Sequence, residues 1–311
     1  MRLRIGTSGY SYPGSPPKGW YGVFYPGTKG QKFDELAYYS SFFDAVEVNT
    51  TFYRPPAPDM AAAWVKRTPA DFEFAIKVWQ KFTHPMKLGE GGGGAAARWE
   101  APAEADVEVF KKSIGALSHS GKLGVLLFQY PPGFRCTEEN VEKLQWTLHS
   151  FRAYPKAVEL RHRSWSDKGD ETGALLGQSG ATWAVIDEPK FASSVAQESE
   201  AVGEMFYLRL HGRNREKWWS HGEAWERYDY FYGPEEIRCF ADKIRQTAQD
   251  SPQAKVYVFF NNHARGQAVA DALMLKGELQ QETGAELPRT LVQAYPPLAR
   301  LGKVEGRDTL F

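Results

Sequence analysis

The chain has 311 residues, 42% hydrophobic and 24% charged, which is the composition of an ordinary soluble protein with a sizeable core. Its 38 basic and 38 acidic side chains cancel, so no global charge marks a nucleic-acid or membrane-surface binder. Two distant cysteines, Cys136 and Cys239, exclude a disulfide framework and CxxC metal spacing, and no apolar run reaches the roughly 18 residues of a membrane span.

The opening MRLRIGTSG has no apolar signal core and enters a strand at once, so a cytoplasmic, monomeric protein is expected, with no membrane partner. Residues 3–8, 45–49, 73–79 and 123–129 read as strands, followed by 157–161, 182–187, 206–212 and 256–262. Amphipathic stretches lie between them at 33–43, 58–67, 105–120, 139–151, 234–248 and 266–280, while 169–179 and 190–203 are less clear. Eight β units alternating with α units predict an α/β fold. The expectation is a single (β/α)8 TIM-type barrel over 1–280, with 281–311 as an extension partly packed on it. A doubly wound open sheet is the alternative, but no GxGxxG opens the first crossover.

Two loops are long. The one after the third strand (80–104) contains GGGGAAA at 91–97, which reads as a flexible insert. The one after the seventh (212–233) carries seven aromatic residues, including Trp218, Trp219 and Trp225, and reads as a functional lid.

Successive strand residues face opposite sides. If the apolar parity faces the helices, Glu47 and Asn49 point inward from the second strand, and Lys77 and Trp79 from the third. Glu159 and Arg161 follow from the fifth, Tyr207, Arg209 and His211 from the seventh, and Tyr257, Phe259 and Asn261 from the eighth. Gln129 and Asp187 end the fourth and sixth strands and are expected at the same rim. Barrel enzymes place their active sites at these C-terminal strand ends. A buried ion-pair network with no ligand is the alternative, although it is an expensive way to gain stability. Three inward cations against two carboxylates leave positive charge, so the expected ligand is a small anion.

The motifs GTSGYSY (6–12), FYP (24–26), VEVNTTFYRPP (46–56), TP (68–69), FAIKV (74–78) and TH (83–84) are followed by LLFQYPPGF (126–134), VELRHRSW (158–165), RLHGR (209–213) and FFNNH (259–263). Their order resembles the YecE-like family, also called domain of unknown function 72, over most of 3–275. The resemblance implies a (β/α)8-type barrel and brings no established activity. Likenesses drawn to sugar isomerases and endonuclease IV are analogies of fold and site, which do not fix function. The segment before Trp20 and the Gly-Ala insert depart from the family pattern, both in loops.

Glu47, Glu159 and His211 are the candidate catalytic acid–base groups, with a hydrogen-bonded rim histidine as the alternative for His211. Lys77 could form a Schiff base if desolvated, but a neighbouring Glu47 would keep it charged, and an ion pair is the favoured expectation. The candidate anion-binding set is Asn49, Tyr53, Arg54, Lys77, Gln129, Arg161, His162, Asp187, Arg209, Arg213, Asn261 and Asn262. Asn262 has a second reading, as a brace for the turn into the last helix. No cofactor is predicted. A divalent metal on Glu47, Glu159, His162, Asp187, His211 or His263 is disfavoured, because the inward cations would repel it. The tail RDTLF (307–311) faintly resembles a sliding-clamp peptide, with fraying as the default. Three readings stay open: an acid–base enzyme on an anionic sugar-like substrate, an endonuclease IV-like nucleic-acid repair protein, or a non-catalytic binding barrel.

Overall fold

The computed structural model describes residues 2–27, 33–84, 101–197 and 205–306. The GGGGAAA insert and the RDTLF tail lie outside the described residues. Among the described residues nine parallel strands form in chain order: β1 Arg2–Thr7, β2 Ala45–Val48, β3 Glu73–Lys77, β4 Leu123–Gln129, β5 Lys156–Glu159, β6 Ala181–Trp183, β7 Val185–Asp187, β8 Met205–Leu210 and β9 Lys255–Phe260. Their ladders make two sheets, β2-β3-β4-β5-β6 and β1-β9-β8-β7, rather than the single eightfold ladder expected.

The two seams have physical causes. The expected sixth strand divides at Ala184, so that β6 pairs with β5 and β7 pairs with β8. The Gln197 carboxamide replaces the ladder there, donating to Ala184 O at 2.8 Å and accepting from Ile186 N at 3.2 Å. Between β1 and β2 the backbones are also joined through side chains. Asp44 Oδ1 accepts from Ile5 N at 3.0 Å, and the Tyr39 hydroxyl accepts from Thr7 N at 2.8 Å and donates to Ala45 O at 3.2 Å. A direct link appears only at the strand ends, where Ser8 and Glu47 form an isolated bridge. Gly6 is required at this seam, since a Cβ on it would stand 2.0 Å from Ala45 O.

Strand parity follows the sequence pattern. Val46, Val48, Phe74, Ile76, Val158, Leu160, Leu208, Leu210 and Val258 pack outward in the main core. That core also takes apolar residues of helices Pro58–Lys66, Glu104–Ser113, Glu138–Ser150, Gly233–Asp250 and Gln267–Glu278. The unclear segment 169–179 is helical at Gly169–Gln178. Ala45, Ala75, Val125, Leu127, Ala157, Tyr207, Tyr257 and Phe259 form a separate inner cluster drawn from both sheets. At the strand N-termini, buried Glu73 closes this interior with Arg2, Lys255 and the Tyr257 hydroxyl. Within the C-terminal stretch, Leu287, Leu291 and Leu298 are buried in the main core. Among the described residues no helix is long and apolar enough to cross a membrane.

Candidate functional site

At the C-terminal strand ends the small inner residues give way to charge. Arg209, on β8, is 1% exposed and reaches across to the other sheet. Its Nε and Nη2 donate to Glu47 at 2.9 and 2.6 Å, and its Nη1 donates to Gln129 at 2.9 Å and to Glu159. Glu47 also accepts from the Tyr207 hydroxyl at 2.7 Å and the Ser8 hydroxyl at 2.8 Å, while Glu159 accepts from Arg161. Burial works to raise both carboxyls, but the guanidiniums outweigh it. Arg209 lowers Glu47, and Arg161 with Arg209 holds Glu159 well below the usual range. Both are therefore ionised, fully bonded and closed to solvent, which is unlike a general acid in an apolar pocket.

His211 is just as enclosed. Burial, then Arg209, pushes its imidazole down to about 4, so it is neutral at pH 7. Its Nε2 faces Arg161 Nη2 at 3.2 Å, Arg209 Nη1 at 3.5 Å and a Glu159 carboxylate oxygen at 3.7 Å. Its Nδ1 lies 2.9 Å from the Asn261 amide nitrogen Nδ2, a donor, and accepts there. Glu188, singled out by no sequence pattern, lies 3.4 Å from Arg161, and burial raises its carboxyl.

Above this layer is a cavity of about 340 Å³. Lys77, Arg161, Arg209 and Arg227 line it, and among the described residues no carboxylate does. Asn49, Gln129 and Asn261 add amides, and among the described residues the buried Oδ1 of Asn49 has no hydrogen-bond partner. Aromatic walls come from Tyr12, Phe52, Tyr53, Trp218, Trp219 and Tyr228. The 212–233 loop thus covers the strand ends as its aromatic content implied, with Arg227 5.5 Å from the Trp218 ring. His84 and His263 also line the cavity, and burial pushes each down to about 4. The His263 ring stacks on Tyr12 with centroids 4.6 Å apart. Among the described residues no three His, Cys, Asp or Glu side chains are grouped to hold a metal ion.

Lys77 departs from the expected ion pair. Among the described residues no carboxylate bonds to its ammonium, which lies 4.0 Å over the centre of the Phe52 ring. Arg209 and Arg161 occupy the nearby carboxylate oxygens. Burial, then the Arg209 charge, pushes the Lys77 amine down to about 7, against the opposing pull of Glu159 and Glu47.

Of the residues expected at the mouth, Asn49, Tyr53, Lys77, Gln129, Arg161, Arg209 and Asn261 line the cavity, and Glu47, Glu159 and His211 lie beneath it. The others are placed elsewhere. Arg54 lines a different groove with Tyr10, Trp64 and Arg67, because the chain enters the 3₁₀ turn Thr50–Phe52, where strand alternation no longer applies. His162 accepts from Ser164 N at 3.1 Å and caps the helix Arg163–Ser166. Asp187 and Arg213 pair at 2.7 Å, and Arg213 also bonds Glu236. Asn262 donates to Asp271 at 2.6 Å and to Tyr230 O at 2.8 Å, which is the bracing role. Phe52, Tyr12 and His84 were absent from the expected set. The TH motif at 83–84 was the available signal for His84, but that residue follows the turn Gln80–Phe82, where strand parity gives no direction.

A curated relative, UPF0759 protein YunF of Bacillus subtilis (strain 168), is 32% identical over 280 residues, covering 86% of this chain and 94% of that protein. Among solved structures, a DUF72 family protein from Thermotoga maritima MSB8 superposes with a TM-score of 0.74 at 31% identity, over 90% of this chain and all of that one. Another from Enterococcus faecalis V583 gives 0.74 at 27% identity, over 90% of this chain and 96% of that one. The family model described as "Protein of unknown function DUF72" matches residues 4–294, and the chain belongs to that family.

Proposed function

We propose that this protein binds a small anionic, hydroxyl-bearing ligand, such as a phosphate-bearing sugar, at the C-terminal strand ends. The reading takes the two sheets together as a (β/α)8-type barrel interrupted at two seams, whose active-site end is then this one. The observation that carries it is a cavity lined, among the described residues, by four cationic side chains and no carboxylate. Arg161 and Arg209 are held in place by the carboxylates below, and so are preorganised to meet an anion. Asn49 Oδ1, a buried acceptor without a partner among the described residues, suits a ligand hydroxyl. Any acid–base step falls to the groups that face the cavity, Lys77, His84 and His263, since Glu47, Glu159 and His211 are enclosed beneath.

Calorimetry and thermal melts with inorganic phosphate and a panel of sugar phosphates test the reading. A ligand at 100 times its Kd stabilises the fold by about 2.7 kcal/mol, and Arg227→Ala should weaken binding. Absence of binding by every phosphate-bearing compound ends the proposal. A second reading, a nucleic-acid phosphodiester, draws on Tyr53 and Trp219, which are 70% and 60% exposed at the rim and are free to stack on bases. It requires salt-sensitive binding of single-stranded DNA or RNA, and no binding at about 50 mM salt would dispose of it.

A further inference from the structure

Other lysines drawn partly or fully out of solvent have partners, as Lys122, Lys156, Lys255 and Lys276 show. Lys122 Nζ donates to Val65 O, Thr68 O and Thr68 Oγ1 at 2.8, 2.8 and 2.9 Å. Lys156 donates to Tyr154 O at 3.0 Å, Lys276 lies 3.6 Å from Asp44, and Lys255 lies 2.7 Å from Glu73. A buried ammonium without such partners is costly, so each of these is accounted for as structure. Lys77 is not: it ends β3 and lines the cavity, and among the described residues its amine makes no hydrogen bond or ion pair and lies 4.0 Å over the Phe52 ring face.

The surroundings of Lys77 separate an amine from its proton. Arg161 and Arg209 line the same cavity and repel a second charge, while the Phe52 face offers the amine a cation–π contact in place of a carboxylate or a hydrogen-bond acceptor. The same cations would hold the anionic end of a ligand and bring its other end to Nζ. We propose that Lys77 Nζ is a nucleophile that forms an imine with the carbonyl group of a small anionic aldehyde or ketone bound in this cavity. The inference rests on the anion-binding reading above and names its substrate class.

In the step, the Nζ lone pair bonds to the carbonyl carbon and the carbonyl π pair moves to oxygen. The two amine protons leave with that oxygen as water, giving the neutral imine, and no oxidant or reductant is needed. The low basicity of the buried amine supports this, because near pH 7 about half of it is unprotonated.

Pyridoxal 5′-phosphate, an aldehyde carrying a phosphate, is the probe. Borohydride traps the imine as a secondary amine, and peptide mapping locates it. Lys77 should label roughly tenfold or more faster than any other lysine. The labelling rate should level off above pH 7, and inorganic phosphate should slow it. Lys77→Arg and Lys77→Met, each checked for folding by circular dichroism, should lose the adduct. Labelling confined to exposed lysines, with Lys77 spared while calorimetry still detects phosphate binding, refutes the imine and leaves the anion reading standing. Equal labelling of Lys77 by pyridoxal and its phosphate, without any phosphate binding, keeps the imine and overturns the anion reading.

Discussion

Replacing Arg209 with methionine keeps most of the side-chain volume and removes the charge between the two sheets. Glu159 retains Arg161, but Glu47 keeps only the Tyr207 and Ser8 hydroxyls. The variant thus leaves one carboxylate, 0% exposed, without a cation. Breaking a buried pair on one side costs about 3–5 kcal/mol. For a chain of this length the unfolding entropy near the melting temperature converts that loss into a drop of roughly 5–8 °C at pH 7. In the native protein Glu47 and Glu159 are depressed, so their contribution is present above about pH 4.3, the unfolded value, and is lost as pH falls through the folded pKa. In Arg209→Met, burial without compensation raises Glu47, so its cost is full at neutral pH and is relieved on acidification. Urea unfolding from pH 8 to pH 5 should therefore show the gap between the two proteins narrowing. Adding Glu47→Gln to Arg209→Met should recover much of the loss at pH 7. A deficit that stays constant across this range, or falls below about 1 kcal/mol, refutes the account of Arg209 as the counter-charge of Glu47.

Two further outcomes follow from the geometry. Lys77→Met should stabilise the fold by about 1–3 kcal/mol below pH 7, because a half-buried charge facing Arg209 and Arg161 with no carboxylate bonded to it is removed. The folded amine is pushed down to about 7, so the gain should shrink as pH rises from 7 toward the unfolded value near 10.4, as read by denaturant unfolding at pH 6 and pH 9; a larger gain at pH 9 would contradict it. Gly6→Ala should cost about 3 kcal/mol or prevent folding, since the added methyl enters the Ala45 carbonyl at the seam. A melt within a degree of wild type would show that the seam yields freely.

The alternation of apolar and charged residues made the interior legible from the chain alone. Ala45 with Glu47, Ala157 with Glu159, and Tyr207 with Arg209 lie on one parity, and all face inward. That rule holds only as far as the strand does. Arg54 and His162 stand beyond strand ends, where a 3₁₀ turn and a helix cap set direction, and alternation says nothing there. The seams were hidden for a different reason. Gln197 and Tyr39 take the place of backbone neighbours from segments outside the strands, and nothing in the local pattern distinguishes them from surface polar groups. Lys77 shows a third limit. A glutamate near a lysine suggests a pair, but which cation obtains the carboxylate is settled by competition in three dimensions, and here the arginines obtain it.

Arg209 crosses from the β1-β9-β8-β7 sheet to Glu47, Glu159 and Gln129, all on the other sheet. Where a continuous ladder would weld the two halves by backbone alone, side chains rivet them here: Arg209 under the cavity, with Tyr207 and Ser8 on the same Glu47, and the Glu73 cluster at the opposite end. The position of Arg209 directly under the cavity couples the joint to whatever sits above. A ligand reaching both Lys77 on one half and Asn261 on the other would add a further rivet in parallel. Amides along the two seams should then exchange with deuterium more slowly in the bound protein, and those in the middle of each sheet should change little.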